Sequence, residues 1–332
     1  MPVTWVRLAA LPTLLAALSG CPRFQEGPVS FWGSHGFVKV GNEQIYVKDV
    51  GQGPPLLLIH GYGSSHDSFL LIIPELARTR RVLAVDLPGF GRSDKYAGDY
   101  SPAALARRLF SVLDQKGIAQ TDVVAHSWGS SIALTMALEQ PRRVRTLTLM
   151  GAWVYEDQHP PFIVWSRAPV VGEILYALFY KERLDDRMAL AFYNPEPFID
   201  PKGTDMLRRT LNRPGAVAAA LAAARGQYFG ELEKHYREVQ QPVLLIWGAQ
   251  DRVSRLAFGQ RLKNELREAR LVVIPQCGHM PMFERPRPVL QALREFLPPA
   301  PPAPLAPAPR APARAKPAQG GWEGNPWNED RP

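Results

Sequence analysis

Cysteine is nearly missing from this chain. Two residues in 332, Cys21 and Cys277, cannot supply a disulfide framework. Histidine, aspartate and glutamate nowhere fall at metal-ligand spacing, so no metal is expected, and no organic cofactor is expected either. Long apolar stretches are missing too: the run from Leu8 to Leu18 is shorter than a bilayer-spanning helix needs, and Pro12 interrupts it. No internal repeat is found. The formal net charge is +8, yet the arginines are scattered, several of them in the terminal extensions. No basic stripe interleaved with aromatics exists, which argues against a nucleic-acid partner. What is present is globular composition, with 46% hydrophobic and 21% charged residues, enough to bury a core in one or two domains.

The ends differ from the middle. Arg7, the apolar run to Leu18, and then Ser19, Gly20 and Cys21 make a charged start, a short apolar region and a small-residue cleavage site, the layout of an export signal. Leu18-Ser19-Gly20-Cys21 resembles a bacterial lipobox, which implies that Cys21 becomes the lipidated first residue of a membrane-anchored exported protein. A plain secretory signal, releasing a soluble secreted or periplasmic protein, is the alternative. With Cys21 lipidated, Cys277 would have no intrachain partner. At the other end, eleven prolines fall among residues 298–332, with alanine between most of them. Such a segment cannot bury enough apolar area to order itself and is expected to be extended.

Between these ends, strand-like and helix-like segments alternate, the pattern of a mostly parallel, doubly wound α/β sheet with helices on both faces. Gly36 to Val50, broken at Gly41-Asn42, reads as an antiparallel hairpin at the sheet edge. Short apolar runs follow at Leu56 to Ile59, Val82 to Val85, Asp122 to Ala125, Val144 to Met150, Val243 to Trp247 and Leu271 to Ile274. They suit strands buried on both faces. Helical patterns occupy Pro102 to Lys116, Gly129 to Gln140, Leu256 to Glu268 and Pro288 to Leu297. Val154 to Val239 has no strand-like run and is rich in aromatics, so it reads as an insertion after the sixth strand. The expected organisation is a signal over 1–20, a linker over 21–35, a core over 36–153 and 240–297, a helical insertion over 154–239 and a tail over 298–332.

Ser127 falls where the third of those runs meets a helical pattern, among small residues. A sharp strand-to-helix turn there would strain the backbone at the serine and lift its hydroxyl above the sheet edge. Ala125-His126-Ser127-Trp128-Gly129 stands where the nucleophile-elbow pattern is G-x-S-x-G, with alanine in place of the first glycine. A helix-capping serine is the plain alternative. Chain order favours the elbow, because an activated serine needs a base and an orienting acid. Asp251 follows the run Val243 to Trp247, and His279 follows Leu271 to Ile274. The order Ser, Asp, His is that of elbow-type hydrolases.

With these segments, His60-Gly61-Tyr62-Gly63 and Asp86-Leu87-Pro88-Gly89-Phe90-Gly91-Arg92-Ser93-Asp94, the chain resembles the α/β-hydrolase superfamily over about residues 36–297. The resemblance implies Ser127 as nucleophile, His279 as base and Asp251 as its orienting acid. It places the oxyanion-hole donors at the backbone N–H groups of Tyr62 and Trp128, and makes 154–239 a cap. It implies a serine hydrolase acting on small-molecule esters or similar acyl substrates, with a carbon–carbon bond hydrolase, a cofactor-free haloperoxidase or perhydrolase, or a non-catalytic ligand-binding protein as alternatives. Haloalkane dehalogenases and epoxide hydrolases of this fold carry aspartate at the elbow, where this chain has Ser127. Proline iminopeptidases carry H-G-G-P-G where this chain has His60-Gly61-Tyr62-Gly63.

Other residues carry competing readings. Glu156 or Asp157 could supply the acid in place of Asp251. His60 and His126 flank the site and are expected to brace loops. Glu284 is expected to begin the final helix, and Cys277 to pack. Trp153, Phe162, Trp165, Phe179 and Tyr180 are expected either to line an acyl pocket or to pack the cap on the core.

Overall fold

The computed structural model describes residues 36–180, 189–198 and 213–299. The expected signal, Cys21, the linker and the tail beyond Pro299 lie outside the described residues. Eight strands form one sheet in the order β1-β2-β4-β3-β5-β6-β7-β8. The edge hairpin β1 (Phe37–Val40) and β2 (Glu43–Val50) turns at Gly41, whose φ of +58° is open to glycine at little cost. β2 pairs antiparallel with β4 (Arg81–Val85). The remaining pairings, which bring in β3 (Pro55–Ile59), β5 (Thr121–His126), β6 (Val144–Met150), β7 (Val243–Gly248) and β8 (Ala269–Ile274), are parallel.

The central strands are apolar throughout because both faces are covered. On β3, Leu57 and Ile59 point into one core, and Leu56 and Leu58 into the other. This is the alternation that a pleated strand imposes. Burying these four side chains contributes on the order of 6–12 kcal/mol before chain entropy opposes it. The first core is closed by α1 (Pro102–Gln115), α2 (Gly129–Glu139) and α6 (Leu256–Glu265), the second by α7 (Pro286–Phe296) and the turn Ile73–Leu76. Local chemistry sets these helices. Ser101 caps α1 by accepting the Ala104 N–H, with Pro102 behind it. α7 turns Val289, Ala292 and Leu293 inward at the spacing of an amphipathic helix.

One polar knot sits among these apolar layers. Asp122, fully buried at the start of β5, accepts Arg80 Nη1 at 2.8 Å, Arg145 Nε at 2.9 Å and Thr146 Oγ1 at 2.7 Å. The three donors compensate a carboxylate that would otherwise be costly to bury.

Between β6 and β7 the chain leaves the sheet through α3 (Pro161–Ser166), α4 (Val171–Phe179) and α5 (Ala216–Arg225). These helices enclose a small core of their own, built from Ile163, Tyr176, Tyr180, Val217, Ala220, Leu221 and Ala224. Tyr62, from the loop after β3, packs against both this cluster and the main core. Its hydroxyl donates to the Ala220 carbonyl at 2.9 Å and accepts from Tyr176 Oη at 2.7 Å. Among the described residues no helix is long and apolar enough to cross a membrane.

Candidate active site

β5 ends at His126 and α2 begins at Gly129, leaving two residues to reverse the chain. Ser127 takes φ +51°, a left-handed conformation that costs a residue with a Cβ about 1–2 kcal/mol. Its neighbours hold it there. The Ser127 N–H donates to Met150 O at 2.9 Å, and its carbonyl accepts the N–H groups of Ser130 at 2.9 Å and Trp153 at 3.1 Å. The small residues around it answer to close approach. A Cβ on Gly129 would stand 2.6 Å from His60 O, and one on Gly61 would stand 2.9 Å from Ser127 Cβ.

The turn aims Ser127 Oγ at His279 Nε2, 2.9 Å away. His279 Nδ1 lies 2.8 Å from Asp251 Oδ2, while Asp251 Oδ1 accepts the N–H groups of Val253 at 2.9 Å and Ser254 at 2.8 Å. A carboxylate accepts only, so Nδ1 carries the proton and Nε2 presents its lone pair to the serine. An alcohol bonded to an imidazole that a buried carboxylate orients is an activated nucleophile. The three residues come from the ends of β5, β7 and β8, which the parallel order brings to one edge of the sheet. Trp128 opens α2, whose first N–H groups lack intrahelical acceptors. Tyr62 follows Gly61 in the loop that touches Ser127.

Two histidines flank the site and keep it braced. His60 donates from Nδ1 to Gly61 O at 2.7 Å and accepts the Leu87 N–H at Nε2 at 2.9 Å. Burial holds its pKa below the usual histidine value. His126 donates from Nε2 to the His279 carbonyl at 2.8 Å, with the two rings 4.7 Å apart. Burial first, and the neighbouring His279 second, hold its pKa well below the ordinary value. Both rings are therefore neutral near pH 7.

The competing acids are elsewhere. Glu156 pairs with Arg167 at 3.0 Å, and Asp157 with Arg261 at 3.3 Å. Glu284 departs from expectation. It does not begin the final helix but closes the turn Pro281–Glu284, nearly buried, where it accepts main-chain N–H groups. Its long side chain faces a loop rather than the next helix. Cys277 lies in the second core, and burial pushes its thiol far up. Tyr180 stacks on Tyr176 in the small core and Phe162 lies tilted against the same ring, while Trp153 packs against the main core and meets His159 edge to face. Trp165 and Phe179 are 61% and 45% exposed, presented to the surface instead. Among the described residues no cluster of three His, Cys, Asp or Glu could hold a metal.

A sequence profile described as the alpha/beta hydrolase fold matches residues 54–286, a span that includes Ser127, Asp251 and His279. The chain belongs to the alpha/beta hydrolase fold family. Family relatives include the 2-hydroxymuconate semialdehyde hydrolase of Pseudomonas sp. (strain CF600), 31% identical over 75% of this chain and 88% of the relative. The 2-hydroxy-6-oxo-2,4-heptadienoate hydrolase of Pseudomonas putida is 28% identical over 78% of this chain and 95% of its own length. Among solved structures, a bacterial membrane phospholipase A superposes with a TM-score of 0.65 at 25% identity, covering 87% of this chain and 90% of its own.

One residue of this hydrolase site escapes a reading of motifs. Gly151, directly after β6, has φ +51°, and a Cβ there would stand 3.0 Å from His279 Nδ1 and 3.1 Å from Asp251 Oδ2. It makes room for the His279–Asp251 hydrogen bond. The only signal in the sequence is a glycine following a buried run.

Proposed function

We propose that this hydrolase is a serine esterase that cleaves carboxylic esters with apolar acyl groups through an acyl-enzyme on Ser127. The observation that carries this reading is the continuous hydrogen-bonded path from Ser127 Oγ through the His279 ring to Asp251. Ser127 attacks the ester carbon as His279 Nε2 takes its proton. The tetrahedral oxyanion is met by the N–H groups of Tyr62 and Trp128, each worth about 3–4 kcal/mol of barrier. The imidazolium, steadied by Asp251, then protonates the departing alkoxide. Water repeats the sequence on the acyl-enzyme, releasing the acid and restoring the serine. On this reading the insertion after β6, whose α4 and α5 reach Tyr62 through Tyr176 and Ala220, is the cap over this site. Apolar acyl groups suit its aromatic composition.

A second reading has support from the relatives named for carbon–carbon bond substrates, the muconate semialdehyde and the heptadienoate. Those substrates carry a carboxylate that a binding site must match with a cation. In this chain Arg252 beside Asp251 is spent on the carbonyls of Ala189 and Phe192, and Arg213 donates to Gly91 O. Kinetics on p-nitrophenyl esters from acetate to dodecanoate, run beside a 2-hydroxy-6-oxodienoate, separate the readings. A higher kcat/KM for the dienoate than for every ester would replace the first reading by the second.

For location, we propose export and lipid anchoring through Cys21. The supporting observations are the Leu18-Ser19-Gly20-Cys21 stretch and the likeness to a membrane phospholipase A. Several acyl chains on one residue hold a protein to a bilayer at about 0.8 kcal/mol per buried methylene. In this proposal the residues from Pro22 to the first strand serve as the spacer between the anchor and the core.

A further inference from the structure

His279 stands on a loop that needs support. Gln276, just before it, takes φ +50°, a left-handed conformation in a residue with a Cβ. Part of that support comes from outside the sheet. Residues 189–193, which belong to the long excursion between β6 and β7, lie directly against the loop. The His279 N–H donates to Ala191 O at 2.6 Å. Gly278 has no room for a side chain, since a Cβ there would stand 2.6 Å from Ala191 O and 2.7 Å from Tyr193 N. Arg252, next to Asp251, donates through Nη2 to Ala189 O at 2.6 Å and Phe192 O at 2.7 Å. Phe192 is buried and stacks on Phe198 at 4.7 Å.

The Glu284 carboxylate joins the two sides. Its Oε1 accepts the Gly278 N–H at 2.8 Å, and its Oε2 accepts the Tyr193 N–H, also at 2.8 Å. One carboxylate thus bridges the excursion to the main chain immediately before His279. A glutamine has one acceptor oxygen and one NH₂ donor, so one of these N–H groups would face a donor. An aspartate is one methylene too short to make both bonds. The segment, the bridge and the arginine form a single clamp, with Arg252 at one end and Glu284 at the other.

We propose that Glu284 is a positioning residue for His279: by bridging residues 189–193 to Gly278, it makes the presentation of the His279 ring to Ser127 depend on where the excursion lies. The proposal rests on the reading of Ser127 and His279 as the reacting pair. A clamp of this kind acts on the chemical step, because a displacement near 1 Å at a general base costs about a hundredfold in rate. Substrate binding should be spared. It also ties the excursion to the catalytic loop, so that packing changes in 189–193 reach the nucleophile without touching substrate.

The test uses the full chain with Glu284→Gln, Arg252→Met and the double variant. Second-order labelling of Ser127 by a fluorophosphonate is measured beside kcat and KM for p-nitrophenyl butyrate and the thermal midpoint. Glu284→Gln should lower the labelling rate and kcat together by tenfold or more, with KM within twofold of wild type and the fold intact. Arg252→Met should lower the same two quantities by a smaller factor. The double variant should be no more than twofold worse than Glu284→Gln, because both substitutions loosen one segment. A labelling rate within twofold of wild type in Glu284→Gln overturns the proposal. So do losses that multiply in the double variant, or a loss that only tracks the folded fraction. A wild type that does not label at all overturns the reading of Ser127 beneath it, a result distinct from the others.

Discussion

Gly151→Ala places a methyl group beside the His279–Asp251 hydrogen bond. The new Cβ would stand 3.0 Å from His279 Nδ1 and 3.1 Å from Asp251 Oδ2, closer than ordinary van der Waals contact, so one of them must move by a few tenths of an ångström. The backbone also resists, because φ +51° costs an alanine about 1–2 kcal/mol. At about 2–4 °C per kcal/mol for a domain of this size, the thermal midpoint should fall by roughly 2–8 °C. The kinetic effect should be larger in proportion. Misplacing the base costs about a hundredfold, or roughly 2.7 kcal/mol of barrier, and should appear in kcat rather than KM. Stopped-flow acylation by p-nitrophenyl butyrate, with near-ultraviolet circular dichroism to confirm the fold, measures both. An acylation rate within threefold of wild type, despite the expected fall in midpoint, would refute the reasoning that Gly151 keeps the His279–Asp251 contact open.

Three further expectations follow from the same contacts. Asp122→Ala strands Arg80 in the interior and should destabilise the fold by about 3–5 kcal/mol in urea titration while the kcat of the folded protein stays within twofold; a loss below 1 kcal/mol would contradict it. His60 and His126 are held neutral by burial, so the unfolded chain binds more protons once the pH drops below the ordinary histidine value near 6.5. Stability is then complete above that pH and falls on acidification by at most about 1.4 kcal/mol per pH unit for each ring; urea midpoints from pH 7.5 to 5 should show it, His126→Phe should remove one ring's share, and a flat profile would refute it. Cys21→Ser should move the protein from the membrane to the soluble fraction of expressing cells, and a variant held as tightly as wild type would sink the lipid anchor.

Much of the architecture was legible because each central strand is a short apolar run bounded by turn residues. Val144 to Met150 is both the run in the sequence and the strand in the structure. The ends of Leu56 to Ile59 and Val82 to Val85 shift by one residue, where Pro55 and Arg81 pair with each other. That Ser127, Asp251 and His279 meet in one hydrogen-bonded path was readable in their order at successive strand ends. Glu284 and Gly151 were not. Their roles depend on which main chain passes nearby, and the contacts of Glu284 with Tyr193 and Gly278 span 91 and 6 residues. Trp165 and Phe179 show the converse, since composition marks a residue as apolar without saying which side of a helix finds a partner.

The most direct test is intact-protein mass spectrometry of the wild type and Ser127→Ala, quenched in acid during turnover of p-nitrophenyl butyrate. Wild type should gain one butyryl group that maps to Ser127, with a stoichiometric burst of p-nitrophenolate. Ser127→Ala should show neither, and its turnover should fall by at least about a thousandfold. Turnover without an adduct on Ser127, or more than a hundredth of the wild-type rate surviving in Ser127→Ala, would contradict a serine nucleophile at this turn.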